Sequence, residues 1–112
     1  MAALGTILTT SDIAANGVVA PTPGAAVSID ASTGNLFKWT AAENETVNIT
    51  AGQQAGRVIT LMIGNDALAR TITLGTGIVS AGLVVGTALK TVTVVLQSDG
   101  TNFYELSRTL GL

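Results

Sequence analysis

The sequence predicts an all-β domain, a sandwich or barrel of about seven to eight short antiparallel strands that follows an extended N-terminal arm. Three observations lead to this fold class. Apolar and polar residues alternate with a period of two through much of the chain, as in strands with one buried face. Turn-forming residues recur about every 8 to 12 positions, which is typical of sandwiches and barrels. No segment of helical periodicity is long enough to compete, and 112 residues suit a single domain.

Residues 1–33 are predicted to be the arm, and residues 34–112 the β domain, because the first region mixes Ala, Gly, Thr, Ser and Pro. Pro21 and Pro23 favour an extended, polyproline-like segment. The arm is not composed like a disordered linker, since it carries apolar residues that require cover. Those residues are Leu4, Ile7, Leu8, Ile13, Val18 and Val19.

The first strands follow from the alternation. Val27 and Ile29 alternate with polar neighbours, and residues 36–40 follow a Gly-Asn turn signal. Residues 46–50 read Thr-Val-Asn-Ile-Thr and alternate without interruption. Residues 57–63 are almost continuously apolar, so we expect a central strand with both of its faces covered.

The later strands include the strongest local signal in the sequence. Residues 71–74 alternate, and residues 78–85 form a short apolar piece broken by glycine. Residues 91–97 and 103–108 flank an Asp-Gly turn that begins at Asp99, and its glycine supplies the positive φ of a tight hairpin. We therefore predict an antiparallel hairpin over these two strands.

Charged side chains are scarce. They make up 11% of the chain, against about 25% in a typical soluble domain. A free monomer normally dilutes its surface with charge, so the shortage favours a surface hidden in a subunit interface or under a partner. The alternative is that Thr, Ser, Asn and Gly simply cover the surface. A net charge of −2 with five scattered Lys and Arg gives no basic stripe, which argues against nucleic acid as a partner.

Reactive side chains are scarce as well. The sequence has no His and no Cys, so it predicts no disulfide, no transition-metal site, no cofactor and no nucleophile with an imidazole base. Glu43 and Glu45 lie two positions apart, but we interpret them as a solvated strand entry rather than a catalytic pair. The longest apolar stretch, residues 77–89, is shorter than the roughly 20 residues of a membrane span. The sequence therefore predicts a non-enzymatic protein without a membrane segment.

The four aromatic residues allow two interpretations. Phe37 and Trp39 share one face of their strand, while Phe103 and Tyr104 take opposite faces. In the first interpretation Phe37, Trp39 and one of the final pair belong to the core. In the second, Trp39 or Tyr104 anchors a subunit interface, where aromatic side chains are enriched. Trp39 and Tyr104 are therefore the candidate interface residues.

The C-terminal part of the chain resembles a known kind of module. Strands at 58–61 and 71–74 precede the run Ser98-Asp99-Gly100-Thr101-Asn102, an aromatic pair and a closing Glu105-Leu106-Ser107-Arg108 strand. This succession resembles a β module of tailed-phage virion proteins, in which the segment 34–39 has a counterpart that opens the domain. The resemblance extends over about two-thirds of the chain. It implies a jelly-roll-like β fold and assembly as a homotrimer.

Proteins with this module include capsid decoration proteins and the tips of tail fibres and spikes. The sequence shows no shaft or collar, which favours decoration: a homotrimer on the outer capsid surface that clamps major capsid subunits and stabilises the shell. The apolar residues of the arm would then contact the capsid or a neighbouring subunit. The alternative is a tail-fibre or tail-tip receptor-binding module whose loops at 52–56 and 64–70 bind glycans. A carbohydrate-active enzyme is a third option, disfavoured by the missing histidine.

Overall fold

The computed structural model describes residues 18–112, and these residues form ten β-strands and one 3-10 turn. The turn is Ala31–Thr33, and Asp30 caps it by accepting a hydrogen bond from the Ser32 N–H. The strands are β1 Val18–Val19, β2 Ala26–Asp30, β3 Leu36–Ala41, β4 Glu45–Ala51, β5 Val58–Asn65, β6 Thr71–Leu74, β7 Ile78–Val79, β8 Val84–Val85, β9 Thr91–Ser98 and β10 Phe103–Thr109.

The strands form two sheets. The six-stranded sheet has the order β1-β3-β5-β9-β10-β7, and the four-stranded sheet has the order β2-β4-β6-β8. The prediction of an all-β fold is confirmed. Seven strands have four or more residues, and the remaining three have two residues each. No helix that is long and apolar enough to span a membrane occurs between residues 18 and 112.

Strand direction differs from the predicted antiparallel pattern. Five of the eight pairings are parallel, and only β5–β9, β9–β10 and β6–β8 are antiparallel. From β1 to β6 the chain passes alternately through the two sheets, so each strand lies beside the one formed two elements earlier. Strands reached in this way enter the sheet in the same direction and pair in parallel. The arrangement is solenoid-like, in place of the antiparallel neighbours that a jelly roll contains.

The inward faces of both sheets meet in one core. Alternate residues of the longer strands are buried, as the period of two predicts, and Phe37, Trp39 and Phe103 lie among them. The core interpretation of these three aromatic residues is thereby confirmed. The other buried apolar residues are Val27, Ile29, Ala31, Ala41, Val47, Ile49, Ile59, Leu61, Ile63, Ile72, Leu74, Val84, Val92, Val94 and Leu96.

Part of the predicted arm lies within the two sheets. β1 pairs with β3, and β2 pairs with β4 in parallel. Val27 and Ile29 are buried in the core and Val19 packs against it, so β1 and β2 belong to the β fold. The rest of the predicted arm, residues 1–17, lies outside the described residues.

The structure tests two of the local strand predictions. The β9–β10 hairpin is antiparallel, as predicted, with Phe103 opposite Ser98 and a bulge between Glu105 and Ser107. The prediction for residues 57–63 is only half right, because β5 is central but its inward face alone is buried. Its outward residues, among them Thr60 and Met62, remain partly accessible.

Candidate docking surface

The outward side of the six-stranded sheet carries a large apolar or aromatic side chain on each of its six strands. Cross-strand registers define its residues, and we call them the broad face. The members of the broad face are Val18, Leu36, Lys38, Thr40, Val58, Thr60, Met62, Gly64, Val79, Thr91, Thr93, Val95, Gln97, Tyr104, Ser107 and Thr109.

Lys38 is the one charged residue of the broad face. Seven other members are large and apolar or aromatic, and they extend from Val18 on β1 to Val79 on β7. Val18 is 62% exposed and Val58 is 44% exposed, although a sheet face in water usually carries polar and charged side chains. A surface of this composition is typical of a protein interface.

The outward side of the four-stranded sheet has a different character. Its side chains are mostly short and polar, and several bond to nearby backbone. The Asn48 carboxamide oxygen accepts from the Thr76 N–H at 2.8 Å, and the Thr50 hydroxyl donates to the Ile29 carbonyl at 3.3 Å. Large apolar residues are rare on this side, so it matches the alternative in which polar residues cover the surface. Its members include Ala26, Ser28, Thr46, Asn48, Thr50, Thr71, Thr73 and Val85.

The two candidate interface residues lie in different environments. Tyr104 is 43% exposed on the broad face, next to Val79 on β7 and Gln97 on β9. Trp39 is 6% exposed and belongs to the core, so it cannot contact another subunit, and its proposed interface role is corrected. Its position on β3 places it in phase with Phe37, on the inward side of the sheet.

The two described apolar residues of the predicted arm also lie in different environments. Val18 is exposed, while Val19 is partly buried and packs against the core. β1 is parallel to β3, so its two side chains alternate between the broad face and the interior. Leu4, Ile7, Leu8 and Ile13 lie outside the described residues.

Glu45 is a site that the sequence interpretation missed. It is 2% exposed rather than solvated, and its two carboxylate oxygens accept one hydrogen bond each. The Trp39 indole N–H donates to Oε1 at 2.8 Å, and the Gly24 N–H donates to Oε2 at 3.2 Å. The signal was present in the sequence, because Glu45 is in phase with buried Val47 on β4. The carboxylate joins the segment before β2 to the core.

Two ion pairs fix loops at the surface. Arg70 contacts Asp66 at 2.7 Å, and the Arg70 hydrogen bond is the main reason that the pKa of Asp66 lies below its ordinary value of 3.8. Arg108 contacts Glu105 at 2.6 Å and lowers the pKa of that carboxyl, also mainly by hydrogen bonding. Asp66 belongs to the loop after β5, while Glu105 and Arg108 lie on β10.

The Glu105–Arg108 pair holds the chain between β7 and β8 against β10. The Arg108 guanidinium donates to the carbonyls of Leu83 at 2.7 Å and Gly82 at 3.0 Å. Glu105 accepts from the Ala81 N–H at 3.0 Å. Because the carboxylate and guanidinium also bond to each other, no charge on this part of β10 is left without a partner.

This ion pair predicts a pH dependence of stability. A carboxyl whose pKa is lower in the folded state contributes stability above its unfolded pKa, and that contribution is lost as the pH falls through the folded pKa. For Glu105 the loss begins near its ordinary value of 4.5 and continues below it. We expect Glu105→Gln to unfold with a weaker dependence on pH in this acidic range than the wild type.

The measurement is the free energy of unfolding in urea at several pH values between neutral and strongly acidic. Asp66→Asn is a useful comparison, since it removes another carboxyl whose pKa is lowered mainly by a hydrogen bond from an arginine. A Glu105→Gln protein with the same slope as the wild type would show that the ion pair contributes nothing to folding.

Within residues 18–112 there is no cavity and no group of three or more His, Cys, Asp or Glu side chains that could hold a metal ion. The surface features that remain as candidates for function are therefore the broad face and the exposed apolar residues at its margins. Comparison with protein-family models, curated proteins and solved structures gives no match to this chain.

Proposed function

We propose that this chain is a non-enzymatic structural protein of a tailed-phage virion. It decorates the outer surface of the capsid as a homotrimer and stabilises the shell by clamping adjacent major capsid subunits. The observation that carries the proposal is the broad face, which has one charged residue, Lys38, and large apolar residues across six strands. Docking removes such a surface from water, and its burial supplies binding free energy in proportion to apolar area.

The composition of β5 supports docking on this side. Its residues 58–63 are apolar on both faces apart from Thr60, as in a strand that is covered above and below. The core covers the inward face, and a partner on the broad face would cover Val58 and Met62. The same partner explains how a chain with 11% charged residues remains soluble in its working state.

The C-terminal hairpin accounts for the residues that carry the phage resemblance. The Asp99 carboxylate accepts from the N–H groups of Thr101 at 2.9 Å and Asn102 at 3.0 Å. The Ser98 hydroxyl accepts from the Gly100 N–H at 3.0 Å, and Gly100 has φ of 104°. The motif therefore builds the turn itself, so it supports a shared hairpin more strongly than a shared role.

A decoration protein stabilises its shell by mass action, because it binds the assembled capsid and not the dissociated subunits. In this proposal the broad face contacts the major capsid protein, and residues 1–17 add a second contact to the capsid or to a neighbouring subunit. Residues 18 and 19 are not part of that contact segment, since they form β1.

The test is co-sedimentation of the purified chain with expanded heads assembled from the major capsid protein of the same phage. The double variant Met62→Glu, Thr93→Glu places two carboxylates on paired positions in the middle of the broad face. Because burying unpaired charge is costly, we expect this variant to lose binding to the heads. Deletion of residues 1–17 is expected to weaken retention while β1 to β10 still fold.

The matched control is Thr46→Glu, Thr73→Glu, a paired position on the outward side of the four-stranded sheet. Circular dichroism checks that both double variants fold. We expect the control to saturate the heads as the wild type does. Wild-type chain that fails to bind heads would contradict the proposal, and binding of the purified chain to host cells would favour the tail-tip alternative.

A further inference from the structure

The six-stranded sheet has one margin at β1 and the other at β10, beyond which only the two-residue strand β7 lies. The strands at these two margins run in the same direction. β1 is parallel to β3, β3 is parallel to β5, and β10 is antiparallel to β9, which is itself antiparallel to β5. β10 therefore runs in the same direction as β1, and β9 is the one reversed strand of the sheet. A second copy placed beside the first in the same orientation brings its β1 margin, in parallel, to the β10 margin of its neighbour.

The cross-strand registers also place the two margins at one level. Val18 is opposite Leu36, Leu36 is opposite Thr60, Thr60 is opposite Val95, and Val95 is opposite Ser107. These residues form one row across the broad face, with Val18 at its first end. Leu106, the extra residue of the β10 bulge, lies beside the other end.

Both ends of this row are exposed and apolar. Val18 is 62% exposed and Leu106 is 57% exposed. In the described part of the chain β7 pairs only with Phe103 and Tyr104, so no strand pairs with the rest of β10 on that side, where residues 81–83 bond to the side chains of Glu105 and Arg108. At the other margin β1 covers only Leu36 and Phe37 of β3.

We propose that copies of this chain associate head to tail, with Val18 of one copy docking beside Leu106 of the next. The inference rests on the proposed self-association and names its contact. A margin-to-margin contact of two different surfaces is heterologous, so it forms a closed ring of three or more copies or an open filament. A two-fold dimer would instead pair the β1 margin with the β1 margin of the second copy, or the β10 margin with the β10 margin.

The charges near the contact do not oppose a second copy as the occupant. Arg108, the nearest cation on β10, already bonds to Glu105 and to two carbonyls of its own chain. Lys38 lies one row further along the face, level with Thr109. The two margins therefore approach without opposing like charges and without leaving a buried charge unpaired.

The test compares single and double variants by size-exclusion chromatography with light scattering. Val18→Glu and Leu106→Glu each introduce a carboxylate at one margin, and we expect either change to raise the dissociation constant about 30-fold or more, enough to give monomer. Leu68→Glu is the matched control, because Leu68 is 59% exposed in the loop after β5, away from both margins. We expect the control to assemble like the wild type.

Double variants test the head-to-tail geometry itself. Val18→Glu, Leu106→Lys places opposite charges at the two margins, which meet between copies, and we expect it to assemble again. Val18→Glu, Leu106→Glu should remain monomeric. Assembly of Leu106→Glu like the wild type, or no recovery in the opposite-charge variant, would overturn the head-to-tail contact. A monomeric wild type would also overturn it, while the binding to heads is measured separately and stands or falls on its own result.

Discussion

Replacing Trp39 by Phe is expected to lower the free energy of unfolding by about 2–4 kcal/mol, since the change leaves a buried carboxylate oxygen without its donor. The ring that remains still fills most of the site in the core. The main loss is the 2.8 Å hydrogen bond from the indole N–H to Oε1 of Glu45, whose side chain has almost no contact with water. Restoring water to that oxygen would require the core to open.

The control is Glu45→Gln, which removes the charge but keeps one oxygen as an acceptor. The amide oxygen of the new glutamine can accept from only one of the two donors, the Trp39 indole N–H or the Gly24 N–H. We therefore expect a smaller loss in the free energy of unfolding, about 1–2 kcal/mol. In the Glu45→Gln background, Trp39→Phe should cost less than in the wild type, because no buried charge is left unpaired. Equal costs in the two backgrounds would refute the pairing. Unfolding is followed by far-ultraviolet circular dichroism, since Trp39 is the only tryptophan.

Gly52→Ala is the second change with a large expected effect, about 3–5 kcal/mol of lost stability. Gly52 has φ of 87°, a left-handed conformation that costs an alanine roughly 1–2 kcal/mol. In addition, a Cβ at this position would collide with the Ser32 nitrogen and lie 2.7 Å from the Ala31 carbonyl carbon. Both contacts are with backbone atoms of the 3-10 turn, which cannot move aside as a flexible side chain does.

Gly56 provides an internal control for this prediction. It has the same φ of 87°, yet a Cβ there would meet no atom within 4 Å. Gly56→Ala should therefore show the conformational cost alone, about 1–2 kcal/mol. The free energy of unfolding in urea is measured for both variants. The difference between them gives the cost of the contact with the 3-10 turn, apart from the cost of the left-handed conformation. If the two substitutions cost the same, the close approach of Gly52 to the 3-10 turn is not significant for folding.

The alternation of residues predicted the buried face of most strands. In β3, β4 and β9 the residues that the pattern places inside are those that the core contains, including Phe37, Val47 and Val94. The hairpin at Asp99 was also predictable, because its turn residues act within five positions of one another. Signals of this kind are local, and local geometry is what a single sequence records most directly.

The parallel pairing was not predictable in this way. Strands that are neighbours in a sheet are separated by a strand of the other sheet, so no short turn connects them. The spacing of paired residues also changes along the chain: Val18 pairs with Leu36, Leu36 with Thr60, and Thr46 with Thr73. These separations of 18, 24 and 27 positions share no period, and a fixed period is the sequence signature of a solenoid.

In the candidate site, too, some residue positions could be predicted from the sequence and others could not. The alternation placed Phe103 and Tyr104 on opposite faces and one of them in the core, and the structure confirms this, with Phe103 inside and Tyr104 outside. Glu45 could have been assigned to the interior from its phase on β4, but its charge argued for solvent. The exposed Leu106 depends on a bulge between Glu105 and Ser107, and nothing in the sequence of a strand marks where its register will shift.

The order of strands in the larger sheet also constrains how the chain acquires its fold. β5 is central, yet its antiparallel partner β9 follows it by 27 positions at Gly64–Thr91 and by 39 at Val58–Gln97. During synthesis, residues 18–65 can complete the parallel layers only as far as β5, which still lacks one neighbour. The β9–β10 hairpin is made last, although it is the most local element. Until β9 has been synthesised, one edge of β5 therefore has no partner, and we expect that edge to be a site of aggregation in the incomplete chain.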